Sequence, residues 1–386
     1  MTLRVDLDPI RVFLTDTHLA LAERASLFAD ETLAERRPTN DDEARSLARE
    51  FLREMGQAGL LDYVHPLDLR ACCLLREVIA HASPLADEVF ALQALGSMPI
   101  ALAGSDALKA ELMTDVKDGK LMAAFAMTEP EAGSDVAALR TRAERNGGGY
   151  VLTGEKTLIS NAGIADFYTL FASTDPSAGH RGISCFVVPA SSDGLLFAGA
   201  QVLSAPHPLG GLVLDRCRVE ESRRLGKEGD GFKLGMQTLD SLRTTVGAAA
   251  CGMARRALDE ALNHVTTRRQ FGAPLAELQL VQARLAQMAV ELTAARLLVY
   301  RAALAKDSGK ARVSEECAMA KLFATEAAQR VVDSAVQLHG GSGVLADSTV
   351  DQLYRAVRPL RIYEGATDVQ YLVIARALLA RHAARA

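Results

Sequence analysis

Between Leu278 and Ala302 the apolar residues Leu278, Val281, Leu285, Met288, Leu292, Ala295, Val299 and Ala302 recur at alternating steps of three and four. Only an α-helix gathers such residues into one stripe, and a stripe this long has to be buried against other helices. A second stripe follows it, made of Cys317, Ala320, Ala324, Ala327, Val331, Ala335 and Leu338. The preceding run "VGAAACGMARRAL" has the small residues that suit close helix contact. From "GKEGDGFK" onward the chain therefore reads as a helical bundle, and "EGATDVQYLVIARALL" opens its last helix.

The rest of the chain divides at changes of period. Residues 10–120 read as helices, with Asp41 or Asp42 as a cap for the second and Gly56 and Gly59 marking its end. From Leu121 to Val219 the pattern turns strand-like. "GGYVLTGEKTLIS", "DFYTLFAST", "GISCFVVPA" and "GLVLDRCRV" are rich in β-branched and aromatic residues and bounded by Gly, Pro and Ser. The expected class is α+β, mainly α, with segments 1–121 (helical), 122–227 (antiparallel β) and 228–386 (helical bundle).

Length and composition narrow the function. A chain of 386 residues that is 49% hydrophobic supports a large core and two or three domains. The net charge of −5 and the lack of a basic stripe argue against nucleic acid. Cys72, Cys73, Cys185, Cys217, Cys251 and Cys317 have no C-x-x-C spacing, so they read as free thiols in a cytoplasmic protein. The opening "MTLRVDLDPIRVFL" lacks the apolar run of a signal peptide, and no stretch reads as a membrane span. There is no H-E-x-x-H or G-x-S-x-G, so neither metal hydrolysis nor a serine triad is supported, and no metal site is expected.

Four short runs carry polar groups in unusual company. "AFAMTEPEAGSD" (124–135) offers Thr128, Ser134 and backbone N–H groups to a planar polar ligand, and reads equally as a capped turn. "TRRQFG" (267–272) puts two arginines and an aromatic at a helix break, which suits a phosphate or a solvated helix end. "QLHGGSG" (337–343) lets backbone approach a ligand closely, or simply caps a helix. In "RIYEGATDVQ" Glu364 follows an apolar pair and precedes Gly365. It is either a helix-start carboxylate stabilised by the dipole or a desolvated base.

Taken in order, these runs resemble the acyl-CoA dehydrogenase family. "AMTEPEAGSD" and "GEKTLISNAG" are similar to its two flavin segments. "LDSLRTTVGAAACGMARRALDEALNHVTTRRQFGAPL" resembles its long helix and phosphate-binding turn, and "QLHGGSGV" and "LYRAVRPLRIYEGATDVQYLVIAR" its C-terminal signatures. The resemblance runs from about residue 90 to 380. It implies an N-terminal helical domain, a central β-barrel-like domain and a C-terminal four-helix bundle, with non-covalent FAD and a homotetramer or homodimer.

Residue by residue, the resemblance implies Glu364 as the catalytic base. It places Phe125, Met127, Thr128, Ile159 and Ser160 against the flavin ring. Arg268, Gln270 and Phe271 would hold the FAD pyrophosphate of a neighbouring subunit. Gln337, Gly340 and Gly341 would meet the adenine end, and Thr367 and Asp368 would touch FAD. Ser134, Arg243, Tyr363 and Gly365 would line the thioester site. The implied reaction is α,β-dehydrogenation of an acyl thioester: a carboxylate with its pKa raised by an apolar slot takes the α proton, and the flavin takes the β hydride. An acyl-thioester oxidase and a non-catalytic scaffold of the same fold are the alternatives.

Two departures concern partners. Leu158 stands where the family usually has a tryptophan facing the electron acceptor, which leaves coupling to an electron-transfer flavoprotein open. "VLSAPHPLGGLVLD" lacks the family's basic residues, and no Gly-Gly segment follows "EMGQAGLLDYVHP". Both lie where a carrier arm would enter, so an acyl-carrier protein stands beside coenzyme A as the substrate's carrier.

Overall fold

The computed structural model describes residues 5–34, 36–310 and 312–384; the first four residues of the opening run lie outside them. Five helices come first: α1 (Asp16–Phe28), α2 (Asp41–Gln57), α3 (Leu69–Ala82), α4 (Pro84–Ala103) and α5 (Asp106–Lys117). Side-chain caps fix several starts. The cap of α2 is Asn40, which accepts from the Glu43 N–H, rather than either of the aspartates that follow it. Asp68 caps α3 and Ser105 caps α5 in the same way. Asp41 and Asp42 occupy the first turn instead, where negative charge opposes the dipole's positive end.

Eight strands follow: β1 (Ala123–Ala126), β2 (Arg142–Asn146), β3 (Gly149–Ser160), β4 (Phe167–Ser173), β5 (Ile183–Pro189), β6 (Leu195–Ala200), β7 (Leu209–Glu220) and β8 (Arg224–Leu225). They form one sheet in the order β6-β7-β3-β2-β4-β5-β8, with β1 also on β4. Most pairings are antiparallel, but β1 and β2 each meet β4 in parallel. The sheet is thus mixed, and it is open, with β6 and β8 at its ends; the expected all-antiparallel, barrel-like closure is corrected on both points. On β4 and β5 alternate residues feed two different cores. Tyr168, Leu170, Phe186 and Val188 enter one, while Phe167, Phe171, Cys185 and Val187 enter the other. This explains why "FYTLFAS" is buried along its whole length and is mostly apolar on both faces.

The chain then returns to helix: α6 (Gly231–Thr267), a tight turn of two short strands β9 (Arg269–Gln270) and β10 (Ala273–Pro274), α7 (Gln279–Asp307), α8 (Ser314–His339), the short α9 (Thr349–Val357) and α10 (Thr367–Ala383). Gly247 shows why small residues recur on α6. A Cβ there would sit 2.9 Å from Val299 of α7 and 3.3 Å from Ala324 of α8. The α7 stripe is buried from Met288 to Ala302, but Leu278, Val281 and Leu285 are only half-buried.

Internal contacts divide the chain into two compact units. One holds Asp68–Asp87 and Arg243 onward, with the N-terminal stretch before Arg36; the other holds Arg36–Leu67 and Glu88–Leu242. The first helices are thus shared out: α1 and α3 belong with the bundle, α2 and α5 with the sheet.

By length and composition alone α4 could cross a membrane. Its apolar window is 83% buried inside the protein. It also carries Asp87, Gln93 and Ser97, all buried and hydrogen-bonded, as befits a core helix. All six cysteines are buried, and none is in a disulfide.

Candidate active site

In the bundle unit, Glu364 stands three residues before α10, not in its first turn. This removes the helix-start explanation for it. Its φ is +52°, a left-handed conformation that costs a non-glycine residue about 1–3 kcal/mol. Gly365 continues the turn at φ +94°. The surroundings hold this turn in place. The Gly365 carbonyl accepts from Lys321 Nζ at 2.8 Å and from Gln370 Nε2 at 2.9 Å. Gln370 Oε1 in turn accepts from Arg243 Nη1 at 2.9 Å. Lys321 and Gln370 are fully buried and Arg243 nearly so.

Glu364 as a whole is half-buried rather than buried, while its Oε2 is shielded from solvent. The slot is also less apolar than the sequence suggests. Burial pushes the Lys321 ammonium down to about 8, against the opposing pull of Glu364. Arg76 is fully buried too, yet its charge is held firmly: burial opposes it, but Asp87 outweighs burial, and Glu364 and Tyr363 add to the effect. Arg76 grips Asp87 at 2.7 and 2.8 Å and donates to Thr245 at 2.9 Å.

Gly365 is required on two counts. A Cβ would lie 2.3 Å from Gln370 Nε2, and the residue has positive φ. Gly365→Ala is therefore expected to lower stability by about 1–3 kcal/mol, measured by urea unfolding, with Gln370 displaced from Arg243.

The other predicted residues of this unit lie at named places. Thr367 Oγ1 donates to Glu326 at 2.8 Å, Asp368 is exposed and Tyr363 is half-buried. Arg268, Gln270 and Phe271 form the exposed β9–β10 turn, with Phe271 92% exposed and left-handed at φ +52°. Gln337, Gly340 and Gly341 end α8, also exposed, and a Cβ on either glycine would meet open space. His264 stacks on His339 with ring centroids 4.3 Å apart, which brings the end of α6 beside the end of α8. A guanidinium, open glycine backbone and an exposed aromatic fit the pyrophosphate and adenine of a dinucleotide.

In the sheet unit, Phe125 is half-buried and rests on Phe171, centroids 4.9 Å apart. Met127 and Ile159 are buried in the cores, so they have backbone rather than side chain to offer a ligand. Thr128 and Ser160 are half-buried and Ser134 is exposed. The pairing of β3 with β7 shifts register between Lys156 and Ile159. That bulge turns Leu158 outward, 55% exposed at φ +54°, and Ile159 inward. Behind this edge, Lys156 Nζ donates to Glu129 at 2.7 Å and to the Met127 carbonyl at 3.2 Å. Burial lowers the Lys156 pKa to about 8, and Glu129 opposes that.

The segment between β6 and β7 grips the same edge. Gln201 accepts from the Leu158 N–H and donates to Thr157 Oγ1, both at 2.8 Å. His207 Nε2 lies 2.8 Å from Ser160 Oγ. Burial pulls His207 down to about 4, with Asp41 opposing and Arg45 assisting; His65 is likewise lowered to about 4 by burial. An unfolded histidine protonates near 6.5, so between about 6.5 and 4 the unfolded chain binds the extra proton and stability falls as pH falls. The loss of urea midpoint between pH 7 and pH 5 is expected to be shallower in His207→Phe than in the parent.

Sequence reasoning missed Lys321, Gln370, Arg76, Lys156, Glu129, Gln201 and His207. Two had a readable signal: Lys321 falls four residues after Cys317 on the buried stripe of α8, and His207 is held between Pro206 and Pro208.

The chain matches three family profiles: "Acyl-CoA dehydrogenase, N-terminal domain" over residues 15–120, "Acyl-CoA dehydrogenase, middle domain" over 124–217 and "Acyl-CoA dehydrogenase, C-terminal domain" over 229–379. A 3-(aryl)acrylate reductase of Clostridium sporogenes is 37% identical over 380 residues, covering 95% of this chain and all of that protein. The solved butyryl-CoA dehydrogenase from Megasphaera elsdenii is 32% identical with a TM-score of 0.89, covering 95% of this chain and 99% of that one. A Mycobacterium smegmatis glutaryl-CoA dehydrogenase in complex with FADH2 is 26% identical with a TM-score of 0.88, covering 98% of each chain.

Proposed function

This chain belongs to the acyl-CoA dehydrogenase family of FAD-dependent oxidoreductases, and from that membership we propose that Glu364 is the base that removes the α proton of an acyl thioester. The observation that carries this reading is the Glu364–Gly365 turn. A left-handed glutamate, fixed by Lys321 and Gln370 on the next carbonyl and with one oxygen out of solvent, is strained in a way no surface carboxylate requires.

Bound FAD would supply the acceptor for the β hydride. The residues of the chain do the rest. Glu364 takes the proton, and its backbone N–H is a donor for the thioester carbonyl as negative charge develops there. Arg243 and Tyr363 line the acyl side, and Ser134 meets the carrier arm. Thr128 and Ser160 offer hydroxyls to the ring, Met127 and Ile159 offer backbone groups, and Phe125 shapes its surroundings. Arg268, Gln270, Phe271, Gln337, Gly340, Gly341, Thr367 and Asp368 serve the rest of the cofactor, in part on a neighbouring subunit. The half-buried Leu278, Val281 and Leu285 suit such self-association. An electron-transfer flavoprotein is the proposed acceptor and the cytoplasm the proposed compartment, the latter supported by six cysteines that form no disulfide. The divisions at 121/122 and 227/228 belong to the same proposal.

The test is turnover of one saturated acyl group presented on coenzyme A and on acyl-carrier protein, with an artificial electron acceptor and identification of the α,β-unsaturated product. Faster use of the CoA ester is expected; preference for the carrier-protein ester would transfer the assignment to the other carrier, and no unsaturated product from either would overturn it. The clostridial relative's name describes the reverse direction, reduction of an acrylate double bond. The same assay run from the unsaturated acid or thioester with a reductant measures that direction.

A further inference from the structure

We propose that His207 is a positioning residue for Ser160: it donates from Nε2 to Ser160 Oγ and so turns the serine hydroxyl hydrogen outward, as a fixed donor to an acceptor atom on the edge of a bound flavin ring. The proposal rests on the reading above that Ser160 faces that ring. Nothing in the family resemblance or the matched relatives gives His207 a role.

The geometry carries it. His207 is 9% exposed, and its Nε2 is 2.8 Å from Ser160 Oγ. Its other nitrogen, Nδ1, is buried and makes no hydrogen bond among the described residues. Burial keeps the ring neutral at ordinary pH; Asp41 and Arg45 are the charged groups that act on it, with opposite sign. A neutral imidazole carries one N–H. Were it on Nδ1, a buried N–H would be orphaned, which folded proteins rarely tolerate; a buried bare acceptor is the lesser fault. The proton therefore belongs on Nε2, and Ser160 Oγ accepts. Having accepted, the hydroxyl has its own hydrogen to give elsewhere.

The backbone holds this arrangement. Pro206 and Pro208 flank His207 and restrict its conformers, and the residue before a proline is confined to extended geometry. The Pro208 carbonyl accepts from Asn161 N–H at 2.9 Å, one residue beyond Ser160. Gln201, at the other end of the segment, fixes Thr157 and Leu158. The 201–208 segment is thus a clasp on residues 157–161 at the end of β3, and His207 is its contact with the half-buried Ser160.

The experiment uses the full-length holoprotein. FAD affinity and the reduction potential of the bound flavin are measured for the parent, Ser160→Ala, His207→Phe, His207→Gln and the Ser160→Ala/His207→Phe double variant. Loss of one oriented hydrogen bond predicts FAD binding weaker by about two- to tenfold in Ser160→Ala. His207→Phe should shift affinity and potential in the same direction, the double variant should be no worse than Ser160→Ala, and His207→Gln, which keeps an N–H donor, should recover toward the parent. Full additivity in the double variant, or a shift in Ser160→Ala without one in His207→Phe, would overturn the role of His207. No shift in Ser160→Ala would instead overturn the placement of Ser160 at the ring. Nitrogen NMR of the parent reads the tautomer without any substitution: Nε2–H is expected, and Nδ1–H would refute the proposal even if the variants fail to fold.

Discussion

Glu364→Gln is expected to bind FAD and an acyl thioester as the parent does, yet to turn over about a thousandfold more slowly or worse. Glutamine keeps the size and the polar atoms of the side chain but cannot take a proton. The left-handed turn does not depend on the carboxylate, since Lys321 and Gln370 hold the Gly365 carbonyl. Unchanged urea stability with lost turnover would separate chemistry from folding. Near-parental rates in this variant would remove Glu364 from the mechanism.

Arg76→Met should produce the largest loss of stability. The guanidinium is 2% exposed and its partner Asp87 is not exposed at all. Removing the cation leaves a buried carboxylate without its fork of hydrogen bonds, a change that costs about 3–5 kcal/mol. Adding Asp87→Leu should recover much of this, because a buried ion pair contributes little over a well-packed apolar pair. Urea midpoints of the single and double variants check both statements. Equal destabilisation in the two would mean that packing around Arg76, rather than the stranded charge, sets the loss.

Much of the fold was legible because the periods are long. The stripes on α7 and α8, and the apolar runs of β3, β4, β5 and β7, lie where the sequence put them. The short strands were not legible: β1, β2 and β6 offer four to six residues each, too few to show a period. The cap of α2 was misplaced by one or two residues, since Asn40, Asp41 and Asp42 are all good caps by type and only the backbone geometry selects Asn40. The open, mixed form of the sheet depends on β1 and β2 running parallel to β4, a long-range pairing no local pattern records.

At the candidate site the named motifs were readable, but the groups that hold them were not. Lys321 and Gln370 are separated by 49 positions in the chain and share one carbonyl. The bulge that exposes Leu158 and buries Ile159 breaks the alternation a strand would otherwise follow. Glu364 was expected to be buried in an apolar slot. It is half-buried instead, in a region where two buried cations respond to its charge.

The role of Glu364 in acyl-CoA dehydrogenation is tested by anaerobic titration of the FAD-loaded protein and of Glu364→Gln with a panel of saturated acyl-CoA esters, followed by visible absorbance. At least one ester is expected to bleach the flavin band of the parent, and the same ester to bind to the variant without bleaching it. Comparable bleaching in both proteins would contradict Glu364 as the base, and a parent flavin band that no ester bleaches would contradict acyl-CoA dehydrogenation itself.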